Sequence, residues 1–200
     1  RAIESKTASW SFPSLSIGTP ATDYYFFPTA TNSANVSGST SSVFDVLTAA
    51  TVHLRFTIQG RPTPPNALLA VPIHVVLTPN SGAPATDTMV TANSSGEATV
   101  TNLVPGTYSV WIKYERALAL RSSGVVINSG SNTVTMGELL SGDANNNNLV
   151  NLPDFSLLSA TYGIASGDSG YDERADFNGD GIVNLLDFSL LSSNYGEAGD

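Results

Sequence analysis

The chain has 200 residues, with 8 Lys+Arg against 17 Asp+Glu and a formal net charge of −9. Such acidity argues against a nucleic-acid partner, because phosphate binding needs clustered Lys and Arg. The absence of Cys excludes disulfides and Cys-based zinc or redox sites. No run of roughly 18 apolar residues is present, so no membrane span is expected. The imbalance is local. Residues 1–140 carry seven basic and seven acidic side chains, whereas residues 141–200 carry ten acidic ones against the single Arg174. Asymmetry of this kind predicts separate modules. Hydrophobic content of 41% fits a folded chain, and the low charged content of 12% leaves a polar, turn-rich style that suits β-structure. The chain starts at Arg1 without an apolar signal core, which reads as a mature product or a fragment.

Residues 1–50 read as a β-rich extension or linker. Trp10, Phe12, Leu15 and Ile17 alternate with polar residues, and Tyr24 to Phe27 is a compact aromatic run. Both suit short strands, with an aromatic carbohydrate platform as the sharper alternative. Thr29 to Ser42 is almost wholly small and polar, and reads as linker or long loop.

Residues 51–140 predict a sandwich. Val52, Leu54, Phe56 and Ile58 fall on one face of a strand, and Val71, Ile73, Val75 and Leu77 on the next. Further strands are expected at Thr86 to Ala92, Glu97 to Leu103, Tyr108 to Ile112, Val125 to Ile127 and Thr133 to Met136. The turns between them include Pro79 to Gly82, Asn93 to Gly96 and Pro105-Gly106. Short strands with a turn every ~8–12 residues predict a β-sandwich. The stretch Glu97 to Val110, with Leu103, Pro105-Gly106 and Tyr108, resembles the carboxypeptidase regulatory-domain-like (transthyretin-like) sandwich. That resemblance implies a spacer or binding scaffold rather than a defined activity. His53 and His74 sit at outward positions and read as surface histidines, with a metal pair as the alternative.

The strongest signal is an internal repeat. Leu149 to Gly163 recurs as Ile182 to Gly196, with eleven of fifteen positions identical at an offset of 33. Each copy follows a stretch rich in Asp, Asn and Gly. With position 1 at Asp176, the second loop reads Asp176, Asn178, Asp180, Gly181, Ile182, Asn184 and Asp187 at positions 1, 3, 5, 6, 7, 9 and 12. These are the EF-hand loop positions, with oxygen side chains, a turn Gly, a backbone carbonyl at 7 and a carboxylate at 12. The first loop reads Asp143, Asn145, Asn147, Asn148, Leu149, Asn151 and Asp154. Asn147 brings no charge and Asn148 replaces the Gly, so weaker Ca²⁺ binding is expected. Asn tolerates positive φ, so the turn survives. Phe155, Leu158 and Tyr162, like Phe188, Leu191 and Tyr195, predict one apolar stripe on a short helix that ends at Gly163 or Gly196. The two stripes are expected to bury each other, with metal supplying missing stability.

Two such units at residues 141–200 closely resemble a dockerin domain. The resemblance implies two Ca²⁺ ions and docking onto a cohesin domain of a scaffold or cell-surface protein. The implied metal ligands are Asp143, Asn145, Asn147, Leu149, Asn151 and Asp154, then Asp176, Asn178, Asp180, Ile182, Asn184 and Asp187. The implied partner contacts are Leu152, Pro153, Ser159 and Ala160, with Leu185, Leu186, Ser192 and Ser193. Leu152, Pro153, Leu185 and Leu186 hold loop positions 10 and 11, where apolar residues depart from the Ser/Thr pair of many dockerins. Near-identity of the copies implies binding in two orientations.

The expected architecture is therefore multi-domain: an all-β sandwich (transthyretin/Ig-like) over 51–140, then a small all-α calcium-binding dockerin with two EF-hand-like loop-helix repeats. The expected function is a non-catalytic, secreted or cell-surface modular protein, monomeric when unbound. No nucleophile elbow and no phosphate loop is found. Two other readings stay open: a calcium-stabilised cap of a surface adhesin, and the tail of a larger secreted glycoside hydrolase.

Overall fold

The structure is a computed structural model that describes residues 49–200 throughout and, before them, the backbone of four short strands. Two compact units divide the chain after Thr48. In the first, β1 (Tyr24–Phe26) pairs antiparallel with β4 (Ser42–Phe44), and β2 (Thr29–Thr31) with β3 (Ser37–Ser39). The stretch expected as a loop thus holds two strands, β2 with Thr at both ends and β3 of Ser and Gly alone. The aromatic-platform reading falls outside the described side chains.

The second unit begins with β5 (Ala50–Ile58), where alternation buries Ala50, Val52, Leu54, Phe56 and Ile58. Next come β6 (Pro72–Pro79), β7 (Thr86–Thr91), β8 (Glu97–Leu103), β9 (Gly106–Lys113), β10 (Leu120–Ile127) and β11 (Gly130–Leu139). They form a four-stranded sheet in the order β10-β9-β6-β7 and a three-stranded sheet in the order β11-β5-β8. All pairings are antiparallel except β11 with β5, which is parallel. Ile73, Val75 and Leu77 of β6 join Val110 and Ile112 of β9 and the β5 face in one core. His53 lies on β5 and His74 on β6, in different sheets, so they do not form a pair. His53 instead meets Glu97 and Thr99, and His74 meets Asp87.

Helices α1 (Leu152–Ala160) and α2 (Leu185–Ser193) follow, one in each repeat. The expected succession of a separate all-β sandwich and an all-α module is corrected here. The described residues are mostly strand with two nine-residue α-helices, and residues 49–200 fold as one compact unit. The reason lies in the supply of apolar side chains. The C-terminal core consists of Leu118, Ala144, Val150, Leu158, Ala175, Phe177, Val183 and Leu191, and Leu118 comes from the loop between β9 and β10. The repeat segment borrows from the sheets because its own core is small.

A polar seam completes the junction. Ser141 Oγ donates to the Gln59 carbonyl at 2.8 Å, and Asn194 Nδ2 donates to the Ser141 carbonyl at 2.7 Å. Arg61 donates to the Phe177 carbonyl and to the Tyr114 hydroxyl, and stacks 4.7 Å from the Tyr114 ring centre. Gly60, at φ +84°, brings the backbone against α2, and a Cβ built there would lie 2.4 Å from Leu190 Cδ1. Gly60→Ala is therefore expected to lower the melting temperature more than Gly82→Ala. Gly82 shares the positive φ but faces open space, so it carries only the backbone strain of about 1–3 kcal/mol.

Candidate functional site

Each repeat loop is organised by its own oxygens. In the second, Asp176 Oδ1 accepts from Gly179 N at 2.9 Å, and its Oδ2 accepts from Gly181 N at 3.0 Å. Asn178 Oδ1 accepts from Asp180 N and Asp180 Oδ1 from Ile182 N, at 2.9 and 3.0 Å. Asp187, fully buried, accepts from Phe177 N, Asn178 N and Asn184 N. The first loop repeats the scheme. Asp143 accepts from Asn147 N and Asn148 N, Asn145 from Asn147 N, and Asn147 from Leu149 N. Asp154 accepts from Asn145 N and Asn151 N. Backbone donors thus turn these side-chain oxygens inward, and Asn148 takes φ 67° where the second loop has Gly181 at φ 88°. Asn184 caps α2 through its side chain, and at both helix starts the loop-end carboxylate, Asp154 or Asp187, accepts from the N–H of Asn151 or Asn184.

The backbone ties between the copies obey a pseudo-two-fold. Gly163 N donates to Val183 O at 2.7 Å, and Gly196 N to Val150 O at 2.8 Å. Ser166 N donates to Gly181 O, and Gly199 N to Asn148 O. Bridges Ala165–Ile182 and Leu149–Ala198 follow the same relation. Loop of one copy and exit of the other hold each other in place.

Two features break the symmetry. Lys113 Nζ donates to Asp143 Oδ2 at 2.6 Å, whereas Asp176 Oδ2 accepts the Tyr171 hydroxyl at 2.7 Å. Burial and that bond push the Tyr171 hydroxyl above its usual pKa, so it stays neutral. Second, Asn184 Oδ1 accepts from Leu186 N, but the equivalent residue to Leu186 is Pro153, which has no N–H. Asn151 Oδ1 is in consequence the buried side-chain oxygen without a partner among the described residues. Neither Lys113 nor Tyr171 was found by sequence reasoning. Lys113 precedes Asp143 by 30 positions with no motif between them, whereas Pro153 was readable as a missing donor.

The donors fit a hard, oxygen-seeking cation. Among the described residues, no three His, Cys, Asp or Glu side chains gather closely enough to hold a metal alone. An ion would need the Asn amide oxygens and the Leu149 and Ile182 carbonyls as well, which is the Ca²⁺ pattern of mixed oxygen ligands. The orphaned Asn151 Oδ1 is an oxygen that a cation or its water would satisfy.

Burial pushes the Asp187 carboxyl above its usual pKa, against the pull of three backbone N–H groups. In the metal-free chain this group therefore favours folding below its unfolded pKa of ~3.9, and that contribution is lost as pH rises through the raised value. A dication would relieve the charged form.

The apolar stripes divide. Leu158 and Leu191 are buried, but Phe155, Phe188, Tyr162 and Tyr195 are exposed, and Phe155 and Phe188 meet edge to face at 6.3 Å. Tyr162 and Tyr195 lie beyond the helix ends. Leu152, Pro153, Ser159, Ala160, Leu185, Leu186, Ser192 and Ser193 are all exposed, with Leu152 at 61%, Leu185 at 62% and Leu186 at 59%. Among the described residues, no helix is long and apolar enough to cross a membrane.

Residues 141–194 match the family model of the dockerin type I domain. No curated protein matches the chain. The fold is similar to a chain of a C-terminal interface mutant of a type II cohesin–X–dockerin complex from Acetivibrio cellulolyticus. Identity is 18%, the TM-score is 0.61, and the likeness covers 75% of this chain and 97% of that one. An N-terminal interface mutant of the same kind of complex, also from Acetivibrio cellulolyticus, gives 18% identity, a TM-score of 0.59 and the same coverage.

Proposed function

We propose that the chain is a non-catalytic, extracellular or cell-surface component whose residues 141–200 dock onto a cohesin domain in a Ca²⁺-dependent manner. The observation that carries this reading is the coincidence of the dockerin match with two oxygen-lined loops at residues 143–154 and 176–187. Asp143, Asn145, Asn147, Leu149, Asn151 and Asp154 would hold one ion. Asp176, Asn178, Asp180, Ile182, Asn184 and Asp187 would hold the other. Bound Ca²⁺ would supply the positive charge that gathers the loop carboxylates. The chain's own part is to cap α1 and α2 from the loop ends and to fix the direction in which both helices leave.

The docking surface is the exposed apolar edge of the helices. Leu152 on one copy and Leu185 and Leu186 on the other leave large side chains in water, a pattern that marks an interaction site. The pseudo-two-fold ties between the copies favour docking in two orientations. The two-sheet body carries this surface and braces its first loop.

The family match is to a type I dockerin, and the similar solved structures come from a type II complex. Co-elution on size exclusion, with a panel of both cohesin types in calcium buffer, tests the reading. A stable one-to-one complex with at least one of them is expected. Separate elution from every member would favour the cap of a surface adhesin instead.

A further inference from the structure

We propose that Lys113 makes the first loop the weaker of two unequal Ca²⁺ sites and lets the two-sheet body hold that loop without metal. This rests on the calcium reading above. The Lys113 side chain, at the end of β9, is 9% exposed, and its ammonium donates to the Ala117 carbonyl at 2.8 Å and to Asp143 Oδ2 at 2.6 Å. The Asp143 side chain has no exposure. The pair therefore sits where solvent screens little.

The corresponding oxygen of the second loop meets the neutral Tyr171 hydroxyl and the Gly181 N–H, and no cation. Arg116 also approaches that loop, but it donates to the backbone carbonyl of Asp176 and is paired with Glu173 and Glu115 at 3.2 Å each. A dication entering the first loop thus faces two carboxylates, Asp143 and Asp154, with a buried ammonium on the first of them. One entering the second faces three, Asp176, Asp180 and Asp187, with no cation on any. A unit charge held a few ångströms from a dication in a partly desolvated place opposes it strongly. The same ammonium answers the Asp143 charge when no metal is there. Asn148 adds a second brace, since its Oδ1 accepts from Ala119 N at 2.8 Å. The two near-identical loops then have different duties: the first is fastened by the sheets, and the second depends on the ion.

Calorimetric Ca²⁺ titration of the full chain tests this. The unaltered chain is expected to show two sites of unequal affinity. Lys113→Gln keeps a donor without the charge and should tighten the weaker site about tenfold, leaving the tighter site unchanged. In calcium-free buffer the same variant should melt below the unaltered chain, and calcium should restore it. Lys113→Met serves if Lys113→Gln does not fold. A folded variant with an unchanged weaker site overturns the proposal and leaves the calcium reading standing. Two equal sites in the unaltered chain overturn it without any variant. Absence of Ca²⁺ binding at both loops overturns both readings together.

Discussion

Chelating calcium is expected to lower the melting temperature of the chain by roughly 10 °C. A ligand that binds only the folded state at about a thousand times its Kd stabilises it by ~4 kcal/mol, and in a domain of this size 1 kcal/mol moves the midpoint by about 2–4 °C. The small C-terminal core is the physical reason for expecting dependence on metal. It has eight buried apolar residues, one of them lent by the sheets. Around it stand Asp143, Asp154, Asp176 and Asp187, all buried carboxylates. Without an ion those charges are answered by backbone N–H groups and, at Asp143, by Lys113. Asp176→Ala should abolish most of the calcium shift, because it removes a charged donor at the head of the loop with three carboxylates. Asn147→Ala should change it little. Differential scanning calorimetry of the three proteins, with and without chelator, reads this directly. A melting curve that does not move would contradict the calcium reading.

Replacing the exposed leucines of both copies should weaken cohesin binding about 1000-fold, whereas replacing those of one copy should cost only a few-fold. Leu152→Asp alters the first copy, and Leu185→Asp with Leu186→Asp the second. The few interface residues that act as hot spots carry ~2 kcal/mol or more each, and each 1.4 kcal/mol is about tenfold in affinity. The uneven response follows from the pseudo-two-fold: with one copy intact, the other orientation remains. Since these leucines are 59–62% exposed, the fold should tolerate the changes, which circular dichroism checks. Complete loss of binding on altering either copy alone would contradict docking in two orientations.

What the sequence made visible, and what it hid, follow from the range of the interactions. Val52, Leu54, Phe56 and Ile58 alternate because every second side chain enters the core, so β5 was readable residue by residue. The loops were readable because Asp176, Asn178 and Asp180 must alternate to turn oxygens to one side. The helix stripes were only half readable. Leu152, Phe155, Leu157 and Leu158 surround α1 on several sides, so spacing alone does not say that Leu158 goes inward and Phe155 outward. The merging of the repeat segment with the sheets was not readable at all. It depends on Leu118, Gly60 against Leu190, and Lys113 on Asp143, contacts between residues far apart in the chain. Local charge counting gave the first loop two carboxylates but had no means of finding the ammonium that meets one of them.

Calcium-dependent docking by a module carried on a two-sheet body is tested most directly by calorimetric titration of the chain with the cohesin panel, run once in calcium and once in chelator. Saturable one-to-one binding to a cohesin in calcium, lost in chelator, is the predicted result. No heat with any cohesin of either type, or binding that persists undiminished in chelator, would contradict it.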